Sequence, residues 1–178
     1  SSNKKNPIAF FEGLNLEFSK KDIRKWEEIN VLVAGCGTGQ HALTTATKYK
    51  NAHITAIDLS ANSLSYAKRK AEELDIKNIE FIQMDLLDVK TLKKKFNIIE
   101  SVGVLHHMQD PHKGWRILCD ILTPKGLIMI GLYSKIAREH IKRYRQKIGE
   151  KNISINNKNL INLREKIISS NASDEILI

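Results

Sequence analysis

Three glycines at alternate positions, Gly35, Gly37 and Gly39 in "VLVAGCGTGQ", follow directly on a short apolar run. An apolar run that gives way to glycines reads as a buried strand feeding a tight turn. There a positive φ, or the close approach of another group, leaves no room for a side chain. The rest of the chain must accommodate a strand, a glycine turn and a following helix.

It does so by repetition. From Asn30 onward, short β-rich runs alternate with helical patterns, the signature of βαβ units and a parallel sheet. Strand one covers Asn30–Ala34, and a helix follows the glycines through about Tyr49. Strand two is Ala52–Asp58. The next helix opens on Ser60 as N-cap and carries Leu64, Ala67, Ala71 and Leu74 on one face. Strand three is Asn78–Met84 and strand four Asn97–Leu105, followed by a helix around Trp115–Leu122. The segment "TPKG" turns the chain into strand five, Leu127–Tyr133. Right-handed crossovers place such helices on both faces of the sheet. Before strand one, "SKKDIRKWEEI" reads as a short helix capped by Ser19. After strand five, helical patterns span about Lys135–Ile148 and Lys158–Ile168.

Several nucleotide motifs compete for the glycines. A P-loop needs Gly-Lys-Ser/Thr, and Gly39 is followed by Gln40 and His41, so that reading fails. The dinucleotide fingerprint G-x-G-x-x-G needs its third glycine at Gln40, one residue later than Gly39, which counts against a bound pyrophosphate. A turn that binds nothing is the bland alternative. Against it stands Asp58, which ends strand two nineteen residues after Gly39. A carboxylate there can accept both hydroxyls of a ribose. Asp85, after strand three, can accept the exocyclic amine of an adenine, with Met84 or Leu86 against the ring. Its competing role is that of an ordinary turn aspartate. All these positions fall at the carboxyl ends of adjacent parallel strands, where open α/β sheets bind ligands.

The G-x-G-x-G spacing resembles motif I of class I S-adenosylmethionine-dependent methyltransferases. Phe96–Pro111, "FNIIESVGVLHHMQDP", and "LTPKGLIMIGLYS" resemble segments of the same family. The combination with "GLYSKIAR" is most similar to methyltransferase domains carried by tetratricopeptide-repeat proteins. The resemblance runs over about Asn30–Arg145. It implies a Rossmann-like, doubly wound three-layer αβα fold with a mainly parallel sheet in the order 3-2-1-4-5. It also implies S-adenosylmethionine as cofactor, S-adenosylhomocysteine as product, and methyl transfer to an unidentified acceptor, with a protein or small molecule favoured. Gly35, Cys36, Gly37 and Gly39 then approach the methionyl-ribose part, Asp58 and Leu59 the ribose, and Met84, Asp85 and Leu86 the adenine. Many relatives carry an acidic residue where Val33 stands, and backbone carbonyls near Gly35 and Ser101 would have to hold the amino group instead. Asn97 likewise stands where relatives often have Asp.

His106 is the candidate for orienting the substrate or taking a proton from it. A metal at His106, His107, His112 and Asp110 is set aside, because adjacent histidines rarely converge and no cysteine joins them. The formal charge of +9 invites an RNA reading through the basic helix Ser134–Lys151. Lysine supplies 22 of the 29 cations, however, and arginine, the better fork for phosphate, only 7. A solvated face is favoured. No apolar run approaches the roughly 20 residues of a membrane span, and two cysteines make no disulfide framework, which points to a cytoplasmic setting. Residues 1–29 read as an N-terminal extension, 30–134 as the core and 135–178 as C-terminal helices. The family's usual last two strands are not evident, so a binding module without turnover is the alternative. An open edge at strand five would then favour self-association.

Overall fold

The computed structural model describes residues 28–49, 51–134, 136–150, 159, 161–162 and 164–165. The helix expected at "SKKDIRKWEEI" and the tail "EILI" lie outside them, as does most of the helix expected over 158–168. The chain divides between Leu132 and Tyr133 into two units.

The first unit is built on five parallel strands: β1 (Ile29–Ala34), β2 (Ala52–Asp58), β3 (Ile79–Gln83), β4 (Phe96–Val102) and β5 (Leu122–Gly131). Their order, β3-β2-β1-β4-β5, is the order expected. The helices α1 (Gln40–Lys48), α2 (Ala61–Glu73) and α3 (Pro111–Asp120) make the crossovers, with a 3-10 segment, Leu86–Leu92, between β3 and β4.

Alternation along each strand explains the layers. Val31 and Val33 face a core cluster that holds Ala42 and Ala46 of α1 and Leu64 of α2. Leu32 and Ala34 face the other side, against Val89, Leu105 and Leu118. A central strand buried on both faces must be apolar throughout, and β1 has a single exposed residue, Asn30. Helix α2 buries Leu64, Ala67 and Ala71 as its spacing predicts, and the Ser60 hydroxyl accepts the Ser63 N–H. Leu74 departs from that face: it is the C-cap residue and exposed.

In the first unit three boundaries differ from expectation by three residues or more. β4 stops at Val102 because Gly103 turns with φ 77°, and Leu105 enters a 3-10 turn, Leu105–His107, where it is buried. α3 begins earlier than expected, at Pro111, with the Asp110 side chain accepting the Lys113 N–H at 3.0 Å. "TPKG" does not precede β5 but lies within it. Phe96 pairs with Leu122 and Ile98 with Leu127, so the segment between them is an excursion in which Lys125 takes φ 64°.

The second unit contains α4 (Glu139–Glu150). Ala137 N–H donates to the Ser134 hydroxyl, and the Arg138 guanidinium lies 4.1 Å from the centroid of the Tyr133 ring. Among the described residues no helix is long and apolar enough to cross a membrane.

Candidate functional site

The end of β1 is tied to the end of β2 by backbone. Gly35 N–H and Cys36 N–H both donate to the carbonyl of Ile57, at 2.9 and 3.0 Å. The next residue of β2, Asp58, extends the tie with its side chain. Its Oδ2 accepts the Gly37 N–H at 2.7 Å and its Oδ1 accepts the Ser60 N–H at 2.9 Å. One carboxylate thus fixes both the glycine turn and the entry to α2.

The glycines of the turn serve different ends. Gly37 has φ 53°, and a Cβ built on it would meet nothing within 4 Å. Its bare face is turned to open space that a ligand can occupy. Gly39 has φ 88°, and a Cβ there would lie 2.5 Å from the Cβ of Ala67. It is the contact point between the turn and α2, and it lines no part of the cleft.

That open space is a cleft over the carboxyl ends of the strands. Its larger part, about 340 Å³, is walled by Asp58 and Leu59 after β2, by Met84, Asp85 and Leu86 after β3, and by Gly103, Val104, His107 and Met108 after β4. A smaller hollow of about 290 Å³ lies against Val33, Cys36, Thr38, Gln40 and His41. Gly35, Gly37 and Val102 line both. Ile57, Leu59, Met84, Leu86 and Met108 give the larger part an apolar wall suited to a flat ring, and Asp58 stands at its rim as an acceptor. These residues fit an adenosyl group.

Most of the residues expected from the sequence meet here, and the exceptions have physical causes. Asp85 lines the cleft and also serves as the turn aspartate weighed against it: Oδ1 accepts the Leu87 N–H at 2.8 Å and caps the 3-10 segment. Ser101 lies fully buried in β4 and lines neither hollow. His106 lines neither hollow; both its ring nitrogens are buried, and its ring tilts at 52° against that of His107. His107, one residue on, is the histidine in the cleft wall.

Sequence reasoning missed Thr38, Gln40 and His41 at the start of α1, and Val104 and Met108 after β4. Their position relative to the glycine turn and to the end of a central strand was the available signal. It also missed Glu100. This residue of β4 pairs with Val33 across the sheet and is only 1% exposed. Oε2 accepts the Thr45 hydroxyl at 2.5 Å and lies 2.9 Å from His41 Nε2, while Lys48 Nζ lies 3.9 Å from Oε1. Burial alone would raise the carboxyl, but the His41 ring beside it, the hydrogen bond from Thr45 and the cationic Lys48 outweigh it and hold it below the ordinary range. Cys36 is the reverse case: burial, then the charge of Asp58, push its thiol up to about 12, which leaves no thiolate nucleophile.

Comparison with known proteins gives this geometry a family. An uncharacterised protein of Synechococcus, syc1184_c, is 39% identical over 119 residues, which is 66% of this chain and 28% of that protein. Phosphoethanolamine N-methyltransferase 1 of Arabidopsis thaliana is 30% identical over 126 residues, 71% of this chain and 23% of the enzyme. The chain therefore spans less than a third of the length of either relative. PKMT2 of Rickettsia typhi, solved with AdoHcy, superposes with a TM-score of 0.67 at 23% identity over 81% of this chain and 28% of its own, a likeness of fold. The family model described as a methyltransferase domain matches residues 25–176, and the chain belongs to that family.

Proposed function

We propose that the chain binds S-adenosylmethionine in this cleft and transfers its methyl group to a protein or small-molecule acceptor. The observation that carries the reading is the pairing of Asp58, an acceptor at the end of β2, with the bare face of Gly37 beside it. S-adenosylmethionine supplies an activated methyl on sulfur, and in-line transfer draws much of its rate from alignment. What the residues contribute is a ribose acceptor in Asp58, an adenine frame in Met84, Asp85 and Leu86, and a wall after β4 that includes His107. The likeness to methyltransferase domains of tetratricopeptide-repeat proteins belongs to this reading and rests on "ESVGVLHHM" and "GLYSKIAR". The Arabidopsis relative acts on an amine by its name, which supports a nitrogen acceptor.

An RNA acceptor is the second reading, supported by Lys142, Arg143 and Arg145, exposed on α4. A salt-dependent affinity for RNA would favour it.

Calorimetric titration with S-adenosylmethionine and, separately, NAD tests the proposal. The chain is expected to bind the first and not the second, and tight NAD binding would overturn the choice of cofactor. In the same titration Asp58→Ala is expected to weaken S-adenosylmethionine by about 1.5–3 kcal/mol, the worth of a hydrogen bond to a charged group. Unchanged affinity in the folded variant would remove Asp58 from the ribose.

A further inference from the structure

The strand order leaves β5 at one edge of the sheet, and among the described residues β4 is its only strand partner. The ladder between them fixes which backbone groups of β5 point away from β4. Gly103 N–H donates to the Gly131 carbonyl at 3.0 Å, in the register that pairs Val102 with Gly131. In a parallel ladder a residue turns its N–H and its C=O to the same neighbour, and the side alternates along the strand. Leu127, Met129 and Gly131 therefore turn these groups to β4. Ile128 and Ile130 turn theirs outward, as does the N–H of Leu132, which lies across a planar peptide from the Gly131 carbonyl.

Proteins guard an open edge with proline, charge or covering structure. On β5 the proline and the charge, Pro124 and Lys125, both sit in the excursion near its start. From Leu127 to Ser134 the sequence carries neither, and Met129 and Leu132 are 40% and 52% exposed. A chain of net charge +9 repels its own copies over most of its surface. An uncharged strip is where two copies can meet. The strip is also self-complementary. Laid antiparallel about a two-fold axis at Ile130, it sets Ile130 against Ile130 and Ile128 against Leu132, the residues whose backbone groups point outward. Met129 of one copy then falls opposite Gly131 of the other, which brings no side chain against it. The other edge of the sheet, β3, is only five residues long and carries Glu80, held at 2.6 Å by Lys94. It is a poor match for an apolar strand.

We infer that two copies of this chain pair through the outward edge of β5, antiparallel about Ile130, into one continuous sheet. Such a contact uses the same edge on both copies and so closes at the dimer. Antiparallel pairing sends the carboxyl ends of the two sets of strands to opposite edges of the joined sheet, so the two clefts do not face each other. The paired residues line neither part of the cleft, and the inference stands apart from the cofactor reading. A contact made by a few strand residues is small, which makes the dimer concentration-dependent.

The test is sedimentation velocity of the whole chain between about 1 and 300 μM, with amide hydrogen exchange read residue by residue at both ends of that range. The mass should double as concentration rises. Exchange at Ile128, Ile130 and Leu132 should slow by about tenfold or more on dimerisation, while Leu127, Met129 and Gly131 stay protected throughout. Leu132→Lys puts a charge into the strip, and Leu132→Pro removes one outward N–H and no bond to β4. Each should keep the chain monomeric across the range, and the lysine variant carries the test if the proline variant fails to fold. A monomer at every concentration overturns the inference. Protection of Ile128, Ile130 and Leu132 that does not depend on concentration also overturns it, since the chain then covers its own edge. So does growth beyond the dimer, the mark of head-to-tail pairing, and so does a dimer that both variants leave intact.

Discussion

Gly37→Val is expected to eliminate measurable S-adenosylmethionine binding while the protein stays folded. Gly37 has φ 53°, where a β-branched residue is strained by about 1–3 kcal/mol. No protein atom lies within 4 Å of the Cβ position, so nothing in the core is displaced. The branched side chain instead fills space shared by both parts of the cleft, through which the ligand must pass. Binding thus suffers twice, from bulk and from a shifted N–H that no longer serves Asp58. We expect a loss beyond a hundredfold, about 2.7 kcal/mol or more. Calorimetry reads the affinity and a circular dichroism melt reads the fold. Retained tight binding would show that the ligand does not cross this turn.

Gly39→Val, two residues on, is expected to do the opposite: to damage the fold first. A Cβ there would sit 2.5 Å from Ala67 Cβ and 3.2 Å from Ala67 Cα, and the second contact is with backbone that cannot swing aside. Overpacking of this kind costs about 1–3 kcal/mol, and the left-handed conformation at φ 88° adds about 1–2 kcal/mol. A fall in melting temperature of roughly 5–15 °C follows for a domain of this size. Ala67→Gly in the same chain should return part of the loss, because it removes the clash and leaves the dihedral strain. A melting temperature equal to that of the unaltered protein would mean that the turn and α2 can separate freely.

The two glycines also show what was legible in the sequence. That they belonged to a tight turn followed from their place after an apolar run and before a helix, the parallel sheet followed from repeated βαβ units, and the strand order was what the family resemblance implied. Asp58 could be read because strand ends are predictable from where an apolar run stops. Gly39, by contrast, was assigned to the ligand, and its partner is Ala67. Nothing in the local sequence says which residue of the next helix occupies the space a Cβ at Gly39 would need.

The same limit hid Glu100 and His41. They are 59 positions apart in the chain and meet because Val33 and Glu100 share a register across β1 and β4. The charged residue that follows two isoleucines in "NIIESV" was the one local sign of a buried network. His106 and His107 could not be separated by type or spacing. The 3-10 turn at Leu105–His107 decides which ring faces the cleft. The start of α3 was legible and overlooked, since Asp110 followed by Pro111 is a helix-start signal.

The hydrogen bond from Gly37 to Asp58 holds the glycine turn to the end of β2 by the protein's own groups, and this has a meaning in time as well as in energy. A turn already held in its working shape does not have to close after the ligand arrives, so encounter and productive seating become one event. Where no rearrangement gates association, ligands that compete for one site differ chiefly in how long they stay. On the proposed reading, the distinction between cofactor, spent product and truncated analogue would then lie in residence time, set by the rate at which the Asp58 carboxylate lets go of the ribose.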